Sequence, residues 1–352
     1  MCKAALILSE ADAVRAVEGR TVLACAFLLV GLFFAVMLAR PSAAEEIKVG
    51  ILKVASSGPV FIAQDKGYFA ASGLTAKLVY FGAGQAVAVA VVSGDVDIGV
   101  TGLTGGLYNL AANGEMRVLA GLHREEPTFR MVGYVASTHA WDGGLRSFKD
   151  FPGHSVAVTT VGSTNHYSVA LLAEKYGWGM TSIRLLALQT IPNIVSAVAG
   201  GQADVGLVPG TLTGSLIDNG KGKLLGWIGD ETPWQIGSVF VTTKTANERH
   251  DMLERFLTAM RKASRYYHDA FTGPGERRKD GPNAPEATAI IAKYLDVTPA
   301  EVSGVLPYVD PEMRIDEKDV AHQIAWYRAQ GMLKGNLSAD MLIDRRYAVS
   351  QP

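Results

Sequence analysis

The sequence predicts an α/β protein of two lobes, each a mostly parallel sheet flanked by helices, joined by two hinge strands. Three observations lead there. From Glu45 onward, strand-length apolar runs alternate with helix-length runs, which implies parallel sheets covered on both faces. The stretch AVVSGDVDIGVTG, Ala90 to Gly102, has an echo in AVAGGQADVGLVPG, Ala197 to Gly210, with Asp97 and Asp204 107 positions apart. Sliding the chain on itself at that single offset lays Lys48-Val-Gly-Ile on Ser155-Val-Ala-Val, Val54-Ala-Ser-Ser on Val161-Gly-Ser-Thr, and Leu78 on Leu185. One β-α-β-α-β unit is therefore written twice.

Composition limits what such a pair can be. With 352 residues, 48% of them hydrophobic and 19% charged, the chain is long and apolar enough for two cores. The net charge of −1 and the lack of any block of like charge give no support to a nucleic-acid surface or a polybasic membrane patch.

The first 44 residues stand apart. TVLACAFLLVGLFFAVMLA, Thr21 to Ala39, is an uncharged apolar run between Arg20 and Arg40-Pro41, followed by the small residues Ser42, Ala43 and Ala44. That pattern predicts an export signal cleaved near Ala44. The run is also long enough for an uncleaved inner-membrane anchor. Both cysteines, Cys2 and Cys25, lie in this segment, so the mature chain would hold no disulfide, thiol nucleophile or Cys-ligated metal. The segment holds four of the 33 Lys/Arg and three of the 34 Asp/Glu, so 29 remain against 31.

The elements follow in order. Residues 47–54 read as a buried strand entering Ser56-Ser57-Gly58-Pro59, where Ser suits a cap and Pro a first turn, predicting a helix over 59–71. A strand over 74–81, a helix over 84–92 and a strand over 97–101 complete the first unit. The second has strands over 155–160, 183–188 and 204–208, with helices over 164–176 and 193–199. Residues 117–122, 129–136 and 236–242 read as further strands. If 129–136 leads out of the first lobe and 236–242 leads back, lobe one takes 45–136 and 236–352, and lobe two takes 137–235. The last third turns helical, interrupted by a Gly-, Pro- and charge-rich connector over 273–285.

The combination PVFIAQDKGYFAASGL, GAGQAVAVAVVSGDVDIGVTG, VGSTNHYSVALLAEKYGW and a late PEATAIIAKYL resembles the substrate-binding proteins of ABC importers, in the nitrate, sulfonate and taurine (NMT1/THI5-like) group. The resemblance runs over nearly the whole mature chain in the right order. It implies the type II periplasmic binding-protein fold, a small-molecule ligand between two lobes, and delivery to a permease and its ATPase in the inner membrane. It also implies a periplasmic monomer without cofactor, metal or catalytic residues. The related thiamine-pyrimidine synthases carry a Cys-rich iron motif that has no counterpart here.

Ligands of open α/β sheets lie beyond the carboxyl ends of the strands, at the starts of the following helices. Lobe one then offers Ser56, Ser57, Gly58, Gly82, Gly84, Gln85, Thr101 and Gly102, and lobe two offers Ser163, Thr164, Asn165, His166, Gln189, Thr190, Val208, Pro209 and Gly210. Hydroxyls and free N–H groups at helix starts suit an anion. Tyr108 and Trp234-Gln235 are candidate cleft walls. Each residue has a plainer reading: Ser56, Ser57 and Thr164 as caps, Gly82 and Gly84 as turn residues, Tyr108 and Trp234 as core, His166 as an exposed side chain. Asp97 and Asp204 read as structural, and Arg124 and Arg130 as surface charges.

Enzyme motifs are thin. The seven histidines form no i,i+3 or i,i+4 pair, and there is no HExxH, phosphate loop or Gly-x-Ser-x-Gly elbow. Two alternatives remain: a lyase similar to the chorismate-dehydratase class with His166 as base, and a membrane-anchored periplasmic sensor module. No residue selects among nitrate, sulfonate, taurine, pyrimidine or aromatic acid as the solute.

Overall fold

Residues 44–351 are described by a computed structural model, so the expected export signal lies outside the described residues. Strand β1 (Glu45–Leu52) leads through a short turn into helix α1 (Gly58–Asp65), where Pro59 occupies a first-turn position that has no need of its missing N–H. The helix expected over 59–71 is in fact two. Gly67, at φ 67°, breaks it, and α2 (Tyr68–Ala71) follows. The unit continues with β2 (Leu74–Phe81), α3 (Gly84–Ser93), β3 (Ile98–Gly102) and α4 (Gly105–Ala112). After β4 (Met116–Gly121), β5 (His123–Glu125) and β6 (Val132–Ser137), the second unit repeats the order. Its elements are β7 (Ser155–Val158), α5 (Thr164–Tyr176), β8 (Arg184–Ala187), α6 (Ile191–Ala199), β9 (Val205–Pro209) and α7 (Gly210–Asp218). Strands β10 (Gly222–Trp227), β11 (Trp234–Gln235) and β12 (Gly237–Thr242) close this part of the chain.

Two five-stranded sheets result, ordered β2-β1-β3-β12-β4 and, from the matching edge, β8-β7-β9-β6-β10. The two orders agree strand for strand under the sequence repeat. In each sheet the first three strands are parallel and the fourth is antiparallel. The echoed aspartates explain themselves at this level. Asp97 accepts a hydrogen bond from the Lys48 N–H at 2.8 Å, and Asp204 accepts one from the Ser155 N–H at 2.8 Å, each tying a third strand to the first.

The fourth strand of each sheet arrives from the other half of the chain. β12 returns to the first sheet, while β6 pairs with β9 from Val132↔Pro209 to Ala136↔Val205. The boundary expected after Ala136 therefore falls inside a strand of the second sheet. Between the sheets the two crossing segments pair with each other, Trp234↔Glu125 and Gln235↔Arg124, and the strand Tyr308–Val309 joins β5 on its other side. The connector expected over 273–285 also carries structure: Thr272–Gly273 pairs with Arg277–Arg278, and the Arg278 N–H donates to Thr128 Oγ1 at 3.0 Å.

Helices α8 (His250–Phe271) and α9 (Ala284–Leu295) cover the first sheet. The buried face of α8 carries Leu253, Phe256, Met260 and Tyr267, each contributing about 1.5–3 kcal/mol by burial. Helix α10 (Glu317–Ala329) reaches the second lobe instead: the Trp326 ring lies 5.2 Å from that of Tyr167, and the Tyr327 hydroxyl donates to the Ser163 carbonyl at 3.3 Å. Residues 236–352 thus do not all serve the first lobe. One continuous buried cluster includes Tyr108, Tyr134, Tyr167, Trp234 and Tyr327, drawn from both lobes.

Candidate functional site

Both sheets turn the carboxyl ends of their parallel strands toward one cavity of about 90 Å³. Lobe one lines it with Leu52, Val54, Ala55 and Ser56 at and after the end of β1, Ala83 and Gly84 after β2, and Thr101, Gly102 and Thr104 after β3. Lobe two answers with Thr159, Ser163, Thr164, Asn165 and Ser168 after β7, Ile191 after β8, and Leu207, Pro209, Gly210 and Thr211 at the end of β9. His123, Met131, Val132, Ile228 and Ile236, from the segments that cross between the lobes, complete the wall. The starts of six helices thus meet at one place.

Local chemistry makes three of those starts self-sufficient. Thr104 accepts from the Leu107 N–H at 3.2 Å, Ser163 from the His166 N–H at 3.3 Å, and Thr190 from the Asn193 N–H at 3.4 Å. Helices α1, α3 and α7 have no side-chain cap, since Ala83 and Pro209 cannot supply one and Ser57 is otherwise engaged. The first-turn N–H groups of α3 and α7 are the more available to a ligand, and the helix dipole favours negative charge there. In α1 the Gly58 N–H is instead bonded to the Ala55 carbonyl and Pro59 has none.

The lobes touch around the cavity. The Gly105 N–H donates to the Gly162 carbonyl at 2.8 Å, directly from one lobe to the other. A β-carbon on Gly82 would lie 3.0 Å from Thr190 Cγ2, and one on Gly102 would overlap Thr164 Cγ2. Glycine is needed at these points because the opposite lobe occupies the space.

Of the residues expected at the site, Ser56, Gly84, Thr101, Gly102, Ser163, Thr164, Asn165, Pro209 and Gly210 line the cavity. Gly82 sits against Thr190, and Gln189, at φ 72°, is a turn residue whose N–H donates to the Thr159 carbonyl at 2.7 Å. Six others lie outside the lining. Ser57 is buried and its hydroxyl donates to the Leu52 carbonyl at 2.8 Å, while Gly58 packs where a β-carbon would lie 2.9 Å from Tyr267. The Gln85 side chain lies over Gly106 with Oε1 buried and unpaired. Tyr108 and Trp234 are core: the Tyr108 hydroxyl donates to Gln323 at 2.7 Å, and the Trp234 ring packs 4.9 Å from Tyr167. His166 Nδ1 accepts from the Gly162 N–H at 3.0 Å, and its ring edge meets Trp326 at 5.3 Å. Burial pushes the His166 pKa down to about 4. Arg124, expected as a surface charge, is instead largely buried in the crossing segment, paired with Glu126 at 2.9 Å and Asp316 at 3.1 Å and outside the lining.

Nothing in the sequence pointed to His123. It is a lone histidine in a crossing segment, and only assembly of the hinge brings it to the cavity. Its ring is buried, 5% exposed, with Nδ1 unpartnered, and burial pushes its pKa down to about 3. No Lys, Arg, Asp or Glu lines the cavity, so the site offers hydroxyls, one carboxamide, a neutral imidazole and helix-start N–H groups within an apolar wall. Among the described residues no group of three or more His, Cys, Asp or Glu could hold a metal ion.

A family model described as NMT1/THI5 like matches residues 55–271. No curated protein matches the sequence. Among solved structures, the alkanesulfonate-binding protein SsuA from Xanthomonas axonopodis pv. citri, bound to MOPS, superposes with a TM-score of 0.68 at 19% identity, covering 86% of this chain and 99% of that one. The periplasmic nitrate-binding protein NrtA from Synechocystis PCC 6803 gives 0.68 at 13% identity, covering 86% and 87%. A cysteine-to-serine mutant of DszB in complex with biphenyl-2-sulfinic acid gives 0.57 at 14%, covering 88% and 97%. At these identities the likeness establishes the fold.

Proposed function

The chain belongs to the NMT1/THI5-like family, and from that membership we propose that it is the solute-binding component of an ABC importer, capturing a small organic anion or aromatic solute between its lobes. One observation carries the reading: a single cavity draws its lining from the strand ends and helix starts of both lobes. Contacts made by both lobes exist together only when the lobes are closed, so a ligand shifts the equilibrium toward closure. The permease, with its ATPase, would recognise that closed form. The sulfonate and nitrate named for two structural neighbours put such anions first among solutes to try. We assign the protein to the periplasm as a monomer, exported by the segment before Glu45. No helix among the described residues is long and apolar enough to cross a membrane.

The lyase alternative rested on His166 as base, and its geometry does not favour that role. Nδ1 is already an acceptor, the ring lies outside the cavity lining, and burial weakens the imidazole as a base. The importer reading is tested by thermal shift of the purified protein against sulfonates, nitrate, taurine, pyrimidines and aromatic acids. A true ligand at a hundred times its Kd should stabilise the fold by about 2.7 kcal/mol. A ligand recovered chemically changed would overturn the reading.

A further inference from the structure

The cavity places one ionisable side chain against the solute, His123. Its position is built. A β-carbon on Gly237 would collide with the imidazole at its Nδ1 side, so glycine there lets the ring pack on the main chain of β12. Gly237 pairs with Gly102, whose other side receives Thr164 from the opposite lobe. The ring therefore lies near the strand end where the lobes meet, and Met131, Val132, Ile228 and Ile236 line the same cavity. Nδ1 has no hydrogen-bond partner there. Nδ1 is the ring atom nearest Gly237, which leaves Nε2 as the imidazole nitrogen a solute in the cavity can meet.

The rest of the lining decides which ligand. Leu52, Met131, Ile191, Leu207, Ile228 and Ile236 give a wall suited to a ring-sized apolar body, and no cationic side chain is present to neutralise a buried anion. Positive potential in the lining comes from helix starts alone, among which those of α3 and α7 have no side-chain cap. A neutral imidazole can give or take a hydrogen bond but cannot balance charge.

We propose that His123 is the specificity-determining residue of this cavity, exchanging one hydrogen bond with an uncharged polar group on an aromatic-sized solute and excluding a second charged group from the hinge end. The proposal rests on the importer reading of the same cavity, and names the solute class as an aromatic bearing at most one charge.

The test is calorimetric binding of three probes to the purified protein: benzenesulfonate, para-hydroxybenzenesulfonate and the para-disulfonate of benzene. The hydroxylated probe should bind about tenfold tighter than benzenesulfonate, equivalent to ~1.4 kcal/mol, and the disulfonate at least a hundredfold weaker. His123→Phe should erase the preference for the hydroxyl, bringing the two monosulfonates to within about threefold of each other. His123→Asn, which retains a polar group, should restore part of that preference. If His123→Phe fails to fold, the wild-type ranking and His123→Asn still decide. Equal binding of the two monosulfonates, a preference that survives in His123→Phe, or good binding of the disulfonate would overturn the proposal and leave the importer reading standing. Binding of none of the three by wild type would overturn the organic-anion reading of the cavity, and the proposal with it.

Discussion

Gly102 and Thr164 meet across the cleft with no room for a β-carbon between them: one added to Gly102 would overlap Thr164 Cγ2, while Ile236 fills the other side. Gly102 ends a strand of the first sheet and Thr164 opens a helix of the second lobe. Their contact is a gauge of closure. Gly102→Ala should hold the lobes apart, lowering the affinity for a screened ligand by tenfold or more, ~1.4 kcal/mol, with little change in melting temperature. Gly82→Ala should cost less, because the Thr190 side chain it meets at 3.0 Å can give way. Titration calorimetry of both variants decides; unaltered affinity in Gly102→Ala would show that the contact does not govern binding.

Ser57 and Thr164, alike in sequence as serine or threonine at a helix start, should separate cleanly. The Ser57 hydroxyl is bonded inside lobe one to the Leu52 carbonyl, so Ser57→Ala should cost about 1 kcal/mol of stability and leave affinity unchanged. Thr164 lines the cavity, so Thr164→Ala should weaken an anionic ligand by about 1.5–3 kcal/mol with less effect on folding. Urea melts and calorimetry on the same preparations would expose any reversal of this pattern.

Much of this arrangement was legible because it is local. The strand-helix order and the small residues at strand ends are written within a few positions of one another, whereas the cap expected at Thr164 falls one residue earlier, on Ser163. The Asp echo was legible as structure: each carboxylate accepts from a main-chain N–H of its unit's first strand. What stayed hidden depends on distant segments. Tyr108 looked like a cleft wall because the partner of its hydroxyl, Gln323, lies 215 positions away on a helix with no motif. Trp234 sits beside the returning strand, as its sequence position suggests, yet the ring turns into the core formed with Tyr167. His123 reaches the cavity only once β5 pairs with β11 and Tyr308–Val309.

Glu125, two residues from His123, supplies a test by pH. Its carboxyl is fully buried, and desolvation raises its pKa well above the usual carboxylate range. The nearby Gly229 and Val132 N–H groups oppose that shift without reaching good hydrogen-bond geometry. The folded state therefore keeps a proton that the unfolded state has released. Stability is fully present below the unfolded pKa and falls as pH rises above it. Glu125→Gln keeps the shape and cannot ionise. Its stability relative to wild type should be flat near pH 4 and then gain about 1.4 kcal/mol per pH unit until Glu125 itself ionises in the fold. His123, whose lowered pKa acts with the opposite sign as pH falls below about 6.5, is common to both proteins and cancels. Urea denaturation of the pair from acid to neutral pH measures the difference, and a constant gap across the range would contradict it.

His166 separates a binder from an enzyme. Its Nδ1 accepts the Gly162 N–H, and burial lowers its pKa to about 4, so the imidazole is neutral at ordinary pH and its Nδ1 lone pair is engaged. Glutamine can present its amide oxygen to the same N–H, so His166→Gln should fold and bind a screened ligand within about threefold of wild type, under ~1 kcal/mol. His166→Ala leaves the Gly162 N–H without its acceptor and should cost about 1–3 kcal/mol of stability. A catalytic base could not be replaced by glutamine, which has no titration near neutrality with which to take and return a proton. Incubating the ligand at length with wild type and recovering it for mass analysis completes the comparison. Recovery unaltered fits a protein that only carries its solute, whereas turnover by wild type that vanishes in His166→Gln would make this side chain a base and the protein an enzyme.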